Sequence, residues 1–211
     1  MYIYISSQVH AAFENSIILL WMVTANFRRD RELMKAEVIR TDRIHKARVF
    51  NLIREEVKLP NGTQMVIDIV RHPGAAAIVP MKDEATLLMI EQYRHAIGET
   101  IWEVPAGTLD HGEDPLHCAK RELREETGFT ASNWEQLGVI TPLPAYSDER
   151  IHVYLARDLQ PSCQNLDPDE ILEVRELPFD RAIDMIREGL IRDGKSISCL
   201  VMAGLRLGIL K

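Results

Sequence analysis

Between Asp114 and Gly128 the chain carries both ends of one helix, and this segment constrains the fold more than any other. Asp114 can cap a helix with its side-chain oxygen, Pro115 suits the first helical position, and Gly128 tolerates the left-handed turn that ends one. Leu116, Ala119 and Leu123 recur at helical spacing and predict a buried stripe. The last turns, however, hold Glu122, Glu125 and Glu126, which helical spacing places on one face. Like charges so placed repel by roughly a few tenths of a kcal/mol per pair, at a helix end that favours cations. A chain that obeys local rules elsewhere and breaks them here marks a functional site that lacks a positive partner.

Around this helix the pattern is that of strands. A strand is expected at 36–44, and Asn61-Gly62 joins two more as a hairpin, because both residues accept the positive φ of a tight turn. Apolar runs at 75–81, 86–94 and 100–109 have strand length, as do 134–143, 150–159 and a short stretch near 171–177. Two helices close the chain, the second apolar enough to pack on a core. These elements suggest an α+β fold or an α/β/α sandwich with a mixed sheet, preceded by a small antiparallel N-terminal sheet. The expected division is 1–33 as an N-terminal extension, 34–72 as the N-terminal sheet and 73–211 as the main domain.

The 211 residues are 46% hydrophobic, enough for one domain with additions. With 25 basic and 32 acidic residues the net charge of −7 argues against a nucleic-acid or anionic-membrane surface as partner. Cys118, Cys163 and Cys199 are odd in number and widely spaced, so neither a disulfide framework nor a zinc site is indicated, and a reducing cytoplasm is the simplest compartment. Cys118 is expected as a small semi-buried filler rather than a nucleophile. The apolar run within 15–25 is shorter than the roughly 20 residues a membrane span needs, and no basic segment precedes it. A packing helix, a tail, or a start at Met34 remain open for this region, which we place outside the catalytic fold.

Extending the acidic helix backwards gives Gly107, five residues, Glu113, seven residues, then Arg121-Glu122-Leu123-x-Glu125-Glu126-x-Gly128-Phe129. This stretch resembles the Nudix box at every fixed position, a coincidence expected by chance on the order of once in ten million chains of this length. The preceding strands, with Gln92-Tyr93-Arg94 and Trp102-Glu103-Val104-Pro105-Ala106-Gly107, and Pro144 sixteen residues beyond Gly128, resemble the ADP-ribose pyrophosphatase branch. The resemblance covers roughly residues 45 to 190.

Diphosphate hydrolysis needs the linkage's negative charge neutralised and a water deprotonated. Clustered carboxylates suit Mg²⁺ or Mn²⁺, which would be the missing positive charge. The resemblance implies metal ligation by the Ala106 carbonyl, Glu122 and Glu126, with Glu125 a further ligand. Arg121 would pair with Glu113 or Glu125 and hold the acidic face. The resemblance also implies that Arg94 contacts substrate phosphates and Glu103 lies beside the site. The plainer alternatives are a surface arginine and an edge-strand solubiliser. Tyr93 and Trp102 are read as core or dimer-contact aromatics. The resemblance implies a general base from the acidic loop at 165–174, where Pro168 stands at the position aligned with that glutamate. Asp167, Asp169 and Glu170 remain candidates, with Glu149 an independent one, and Glu170 is preferred. The implied activity is hydrolysis of ADP-ribose, a nucleoside diphosphate sugar, to AMP and ribose 5-phosphate by a homodimer. The rivals are another nucleoside diphosphate sugar or dinucleotide, and a non-catalytic sugar-nucleotide sensor.

Overall fold

A computed structural model describes residues 35–210, so the expectations for residues 1–33 lie outside the described residues. These residues divide into two compact units, 35–44 with 53–68, and 45–52 with 69–210. Strands β1 (Glu37–Lys46), β2 (Asn51–Lys58) and β3 (Gln64–Arg71) form a three-stranded sheet in that order. The β2–β3 turn is closed by Leu59 N–H on Thr63 O (2.8 Å), with Gly62 at φ 84° and the Asn61 side chain accepting from Thr63 N–H at 3.0 Å. Arg54 and Asp68 pair bidentately across these strands at 2.7 and 2.8 Å.

The larger unit contains β4 (Ala75–Pro80), β5 (Thr86–Arg94), β6 (Glu99–Glu103), β7 (Ala106–Thr108), α1 (Pro115–Thr127) and β8 (Phe129–Ile140). It continues through β9 (Ile151–Pro161), β10 (Leu172–Pro178), α2 (Phe179–Arg187) and α3 (Gly194–Arg206). One sheet has the order β7-β4-β9-β8, with β4 and β9 parallel and the outer pairs antiparallel, so it is mixed. The other, β10-β5-β6, is antiparallel throughout.

The alanine-rich β4 is buried on both faces, which is why it reads as an unbroken apolar run. Ala76 and Ile78 pack with Cys118, Ala119 and Leu123 of α1. Ala75, Ala77 and Val79 join the opposite core, to which Phe179, Ala182 and Ile183 of α2 and Cys199, Leu200 and Ala203 of α3 belong. The mixed sheet thus lies between α1 and the two later helices.

The run at 100–109 is not one strand. It breaks at Val104-Pro105, and β6 and β7 belong to different sheets. Pro105 has no N–H to continue a ladder, while its carbonyl accepts from Ile78 N–H at 2.9 Å, so the chain turns from one sheet into the other there. One further element differs from the sequence reading. The strand expected at 134–143 begins at Phe129, directly after the helix stop, and ends at Ile140.

Candidate active site

Helix α1 is capped as its sequence demands. The Asp114 side chain accepts from Leu116 N–H and His117 N–H at 3.0 and 3.1 Å, and Gly128 at φ 72° donates to Arg124 O at 2.9 Å. These ends fix the helix rotation and hence the direction of each glutamate. Glu126 is 1% exposed, and its Oε2 accepts from Ala106 N–H at 2.9 Å. Glu122 is also buried, and its carboxylate lies so close to Gly107 that a Cβ there would overlap it. Two carboxylates from one helix therefore flank the Ala106–Gly107 backbone, placed by the corner at Pro105. Glu125 is turned instead toward Arg121 (3.2 Å) and Arg124 (3.4 Å).

Arg121 binds both oxygens of Glu113 at 3.1 and 3.0 Å and also donates to Glu122 at 2.6 Å and to Glu125. The sequence left Glu113 and Glu125 as alternative partners; the guanidinium fork takes both. Its hydrogen bonds hold the Glu113 carboxyl down at about 2. Burial pushes Glu122 up to about 7 against the pull of Arg121, and burial with the neighbouring Glu122 lifts Glu126 well above the usual carboxylate range. One guanidinium thus serves three carboxylates and leaves Glu126 without an ion-pair partner among the described residues. Such a deficit fits a hard cation, which takes oxygen donors of this kind. Among the described residues no three acidic, histidine or cysteine side chains form a finished cluster. The donor set at hand is Glu122, Glu126 and the Ala106 backbone, and Glu125 would join only by leaving Arg121.

A recess of about 1200 Å³ opens onto these groups. Ala106, Glu122, Glu126, Arg121, Arg94 and Glu170 line it together, whereas Glu103, Glu125 and Glu149 do not. Arg94 is held bidentately by Glu103, Nε to Oε1 at 2.7 Å and Nη2 to Oε2 at 2.8 Å, with Glu103 buried behind it. Glu170 accepts from Asp167 N–H at 3.0 Å, and Asp169 pairs with Arg48 at 3.1 Å, so the acidic loop borders the recess with its carboxylates. Glu149 lies 3.8 Å from Nδ1 of His72. The same nitrogen accepts from Gly74 N–H at 3.1 Å. Tyr93 lines the recess and Trp102 packs against the core. Cys118 is fully buried and burial pushes its thiol up to about 12, which leaves it inert.

Several residues in this region carry no mark in the sequence. Lys46 and Arg71, at strand ends, and Arg48 and His72, in the segments that follow, line the recess far along the chain from the acidic helix. Gln92 lines it with a buried Oε1 that has no hydrogen-bond partner among the described residues. The Gln92-Tyr93-Arg94 run is a signal for Gln92; nothing in their own spacing distinguishes Lys46, Arg48, Arg71 and His72 from ordinary surface residues.

Comparison with known proteins agrees with this geometry. The NUDIX domain model matches residues 70–197. The methanol dehydrogenase activator of Bacillus methanolicus is 40% identical over 168 residues, covering 79% of this chain and 91% of that protein. The ADP-ribose pyrophosphatase of Bacillus subtilis (strain 168) is 36% identical over 165 residues, covering 77% and 89%. A crystal structure of an ADP compounds hydrolase superposes with a TM-score of 0.73 at 23% identity, covering 82% of this chain and 95% of that one. With the acidic helix, the glycine it presses against and the sandwich that positions both, the chain belongs to the NUDIX family.

Proposed function

We propose that this NUDIX hydrolase cleaves the diphosphate linkage of ADP-ribose, giving AMP and ribose 5-phosphate. The observation that carries the reading is the pair of buried, under-compensated carboxylates at Ala106–Gly107, open to a recess that also holds Arg94. The relatedness to an ADP-ribose pyrophosphatase supports the substrate. Arg94 would bind the diphosphate as a guanidinium that Glu103 holds in place. Mg²⁺ or Mn²⁺, held by Glu122, Glu126, the Ala106 carbonyl and Glu125, would supply neutralisation of the diphosphate and acidification of water. Glu170 would take the proton of the attacking water as its oxygen bonds to one phosphorus and the bridging P–O bond breaks. Arg121 would keep the acidic face in register through Glu113.

The N-terminal sheet, residues 34–72 in our division, would serve as the contact of a homodimer. Val38, Ile39 and Val66 on it remain 52, 47 and 60% exposed, apolar surface of the kind that partners cover. Unpaired cysteines favour a reducing cytoplasm. Among the described residues no helix is long and apolar enough to cross a membrane. A panel of diphosphate compounds, assayed by phosphatase-coupled phosphate release with and without Mg²⁺, tests the reading. Metal-dependent preference for ADP-ribose is expected. Preference for another nucleoside diphosphate sugar or a dinucleotide keeps the chemistry and replaces the substrate, and silence on every compound leaves a binding protein.

A further inference from the structure

Behind Arg94 and Glu103 lie two charges that the proposed chemistry does not use, Lys195 and Asp193. Lys195, at the start of α3, is mostly buried, and its Nζ lies 3.1 Å from Glu103 Oε2, 3.2 Å from Asp193 Oδ2 and 3.3 Å from Val104 O. Asp193 caps α3 by accepting from Ser196 N–H (2.9 Å) and Ser196 O–H (2.6 Å). Ser196 Oγ in turn accepts from Val104 N–H at 2.8 Å. The helix start therefore grips both backbone polar groups of Val104 and the side chain of Glu103, two and three residues before Ala106.

The electrostatics of this group are balanced. Arg94 and Lys195 carry two positive charges, and Glu103 and Asp193 two negative ones. Burial pulls the Lys195 ammonium down, yet Glu103 and Asp193 keep it above the ordinary lysine value. Glu103 Oε2 is shared between Arg94 Nη2 and Lys195 Nζ. Glu103 occupies Nε and Nη2 of Arg94, so Nη1 is the end left for a ligand. Without Lys195 the group, Arg94 included, would change from neutral to net negative and oppose any phosphate in front of it.

We propose that Lys195 is a positioning residue: its ammonium completes the charge balance on Glu103, and through Glu103 it sets the phosphate affinity of Arg94. This rests on the reading of Arg94 as a diphosphate ligand. Three variants test it by the direction in which KM moves. K195M leaves one uncompensated negative charge and raises KM about fivefold, with kcat within about twofold, the effect of one partly screened charge near a phosphate. D193N keeps an N-cap residue and removes one negative charge, so it lowers KM. K195M/D193N restores neutrality and returns KM toward that of the unmodified protein.

A role in packing alone would loosen the strand in K195M and D193N alike and move KM the same way in both. That result, or an unchanged KM in K195M, overturns the proposal. If K195M does not fold, D193N decides: a lower KM supports the charge balance, and an unchanged or higher one overturns it. Affinity for ADP, measured by calorimetry on the same proteins, separates the two readings. Unmodified protein that is silent on every diphosphate, with variants that still shift ADP affinity in opposite directions, removes the proposed function and keeps this role. Active protein with unshifted variants removes this role alone.

Discussion

Glu122→Gln separates what the acidic face costs the fold from what it does for function. Burial raises the Glu122 carboxyl from 4.5 to about 7. The folded protein therefore keeps a proton that the unfolded chain has already released. The stability that accompanies neutral Glu122 is fully present below the unfolded value of 4.5 and is lost as the pH rises through about 7. At about 1.4 kcal/mol per pH unit this loss amounts to about 3 kcal/mol. Glutamine keeps an oxygen for Arg121 Nη1 but has no proton to lose. Denaturant unfolding in the presence of a chelator, from pH 4.5 to 8, reads the difference. The unmodified protein should lose about 3 kcal/mol more than E122Q across that range. Mg²⁺ at about a hundred times its dissociation constant should return about 2.7 kcal/mol to the unmodified protein and little to E122Q. Hydrolysis by E122Q should fall on the order of a hundredfold or more. Parallel stability curves for the two proteins in chelator would refute the reasoning, because Glu122 would then pay nothing for its burial.

Arg121→Met should destabilise the fold by about 1 to 3 kcal/mol, read by chemical unfolding, because it leaves the buried Glu122 carboxylate without its guanidinium partner; unchanged stability would mean that water replaces the guanidinium. Gly107→Ala should displace the Glu122 carboxylate and lower kcat on the order of a hundredfold while the circular dichroism spectrum is retained, and full activity would show that the close approach is dispensable. Glu170→Gln should lower kcat about a hundredfold and Glu149→Gln by less than about threefold, since Glu170 borders the recess and Glu149 does not. The reverse order would move the general base to Glu149.

Much of this site is legible in one segment of sequence. The two caps of α1, its buried stripe and the clustered glutamates all depend on spacing within a single helix, and the structure keeps each of them. The apolar run at 75–80 also becomes a strand, because a strand buried on both faces must be continuously apolar whatever its neighbours are. Boundaries fare less well where the outcome depends on a distant partner. The run at 100–109 looks uniform, and only the competing demands of two sheets divide it at Pro105.

The sequence by itself determined the fold class, the family motif and the presence of a charge imbalance, since these follow from residue type at short range. Tertiary structure alone decided which glutamates turn inward: Glu122 and Glu126 press on a backbone corner about twenty residues away, while Glu125 is held outward by arginines. It also decided that Lys195, unremarkable in the chain, is buried behind Arg94, 101 positions away along the sequence with one carboxylate between them in space. The reason is physical: desolvation and Coulomb energy depend on which groups the folded chain brings within a few ångströms, and separation along the sequence does not set that distance.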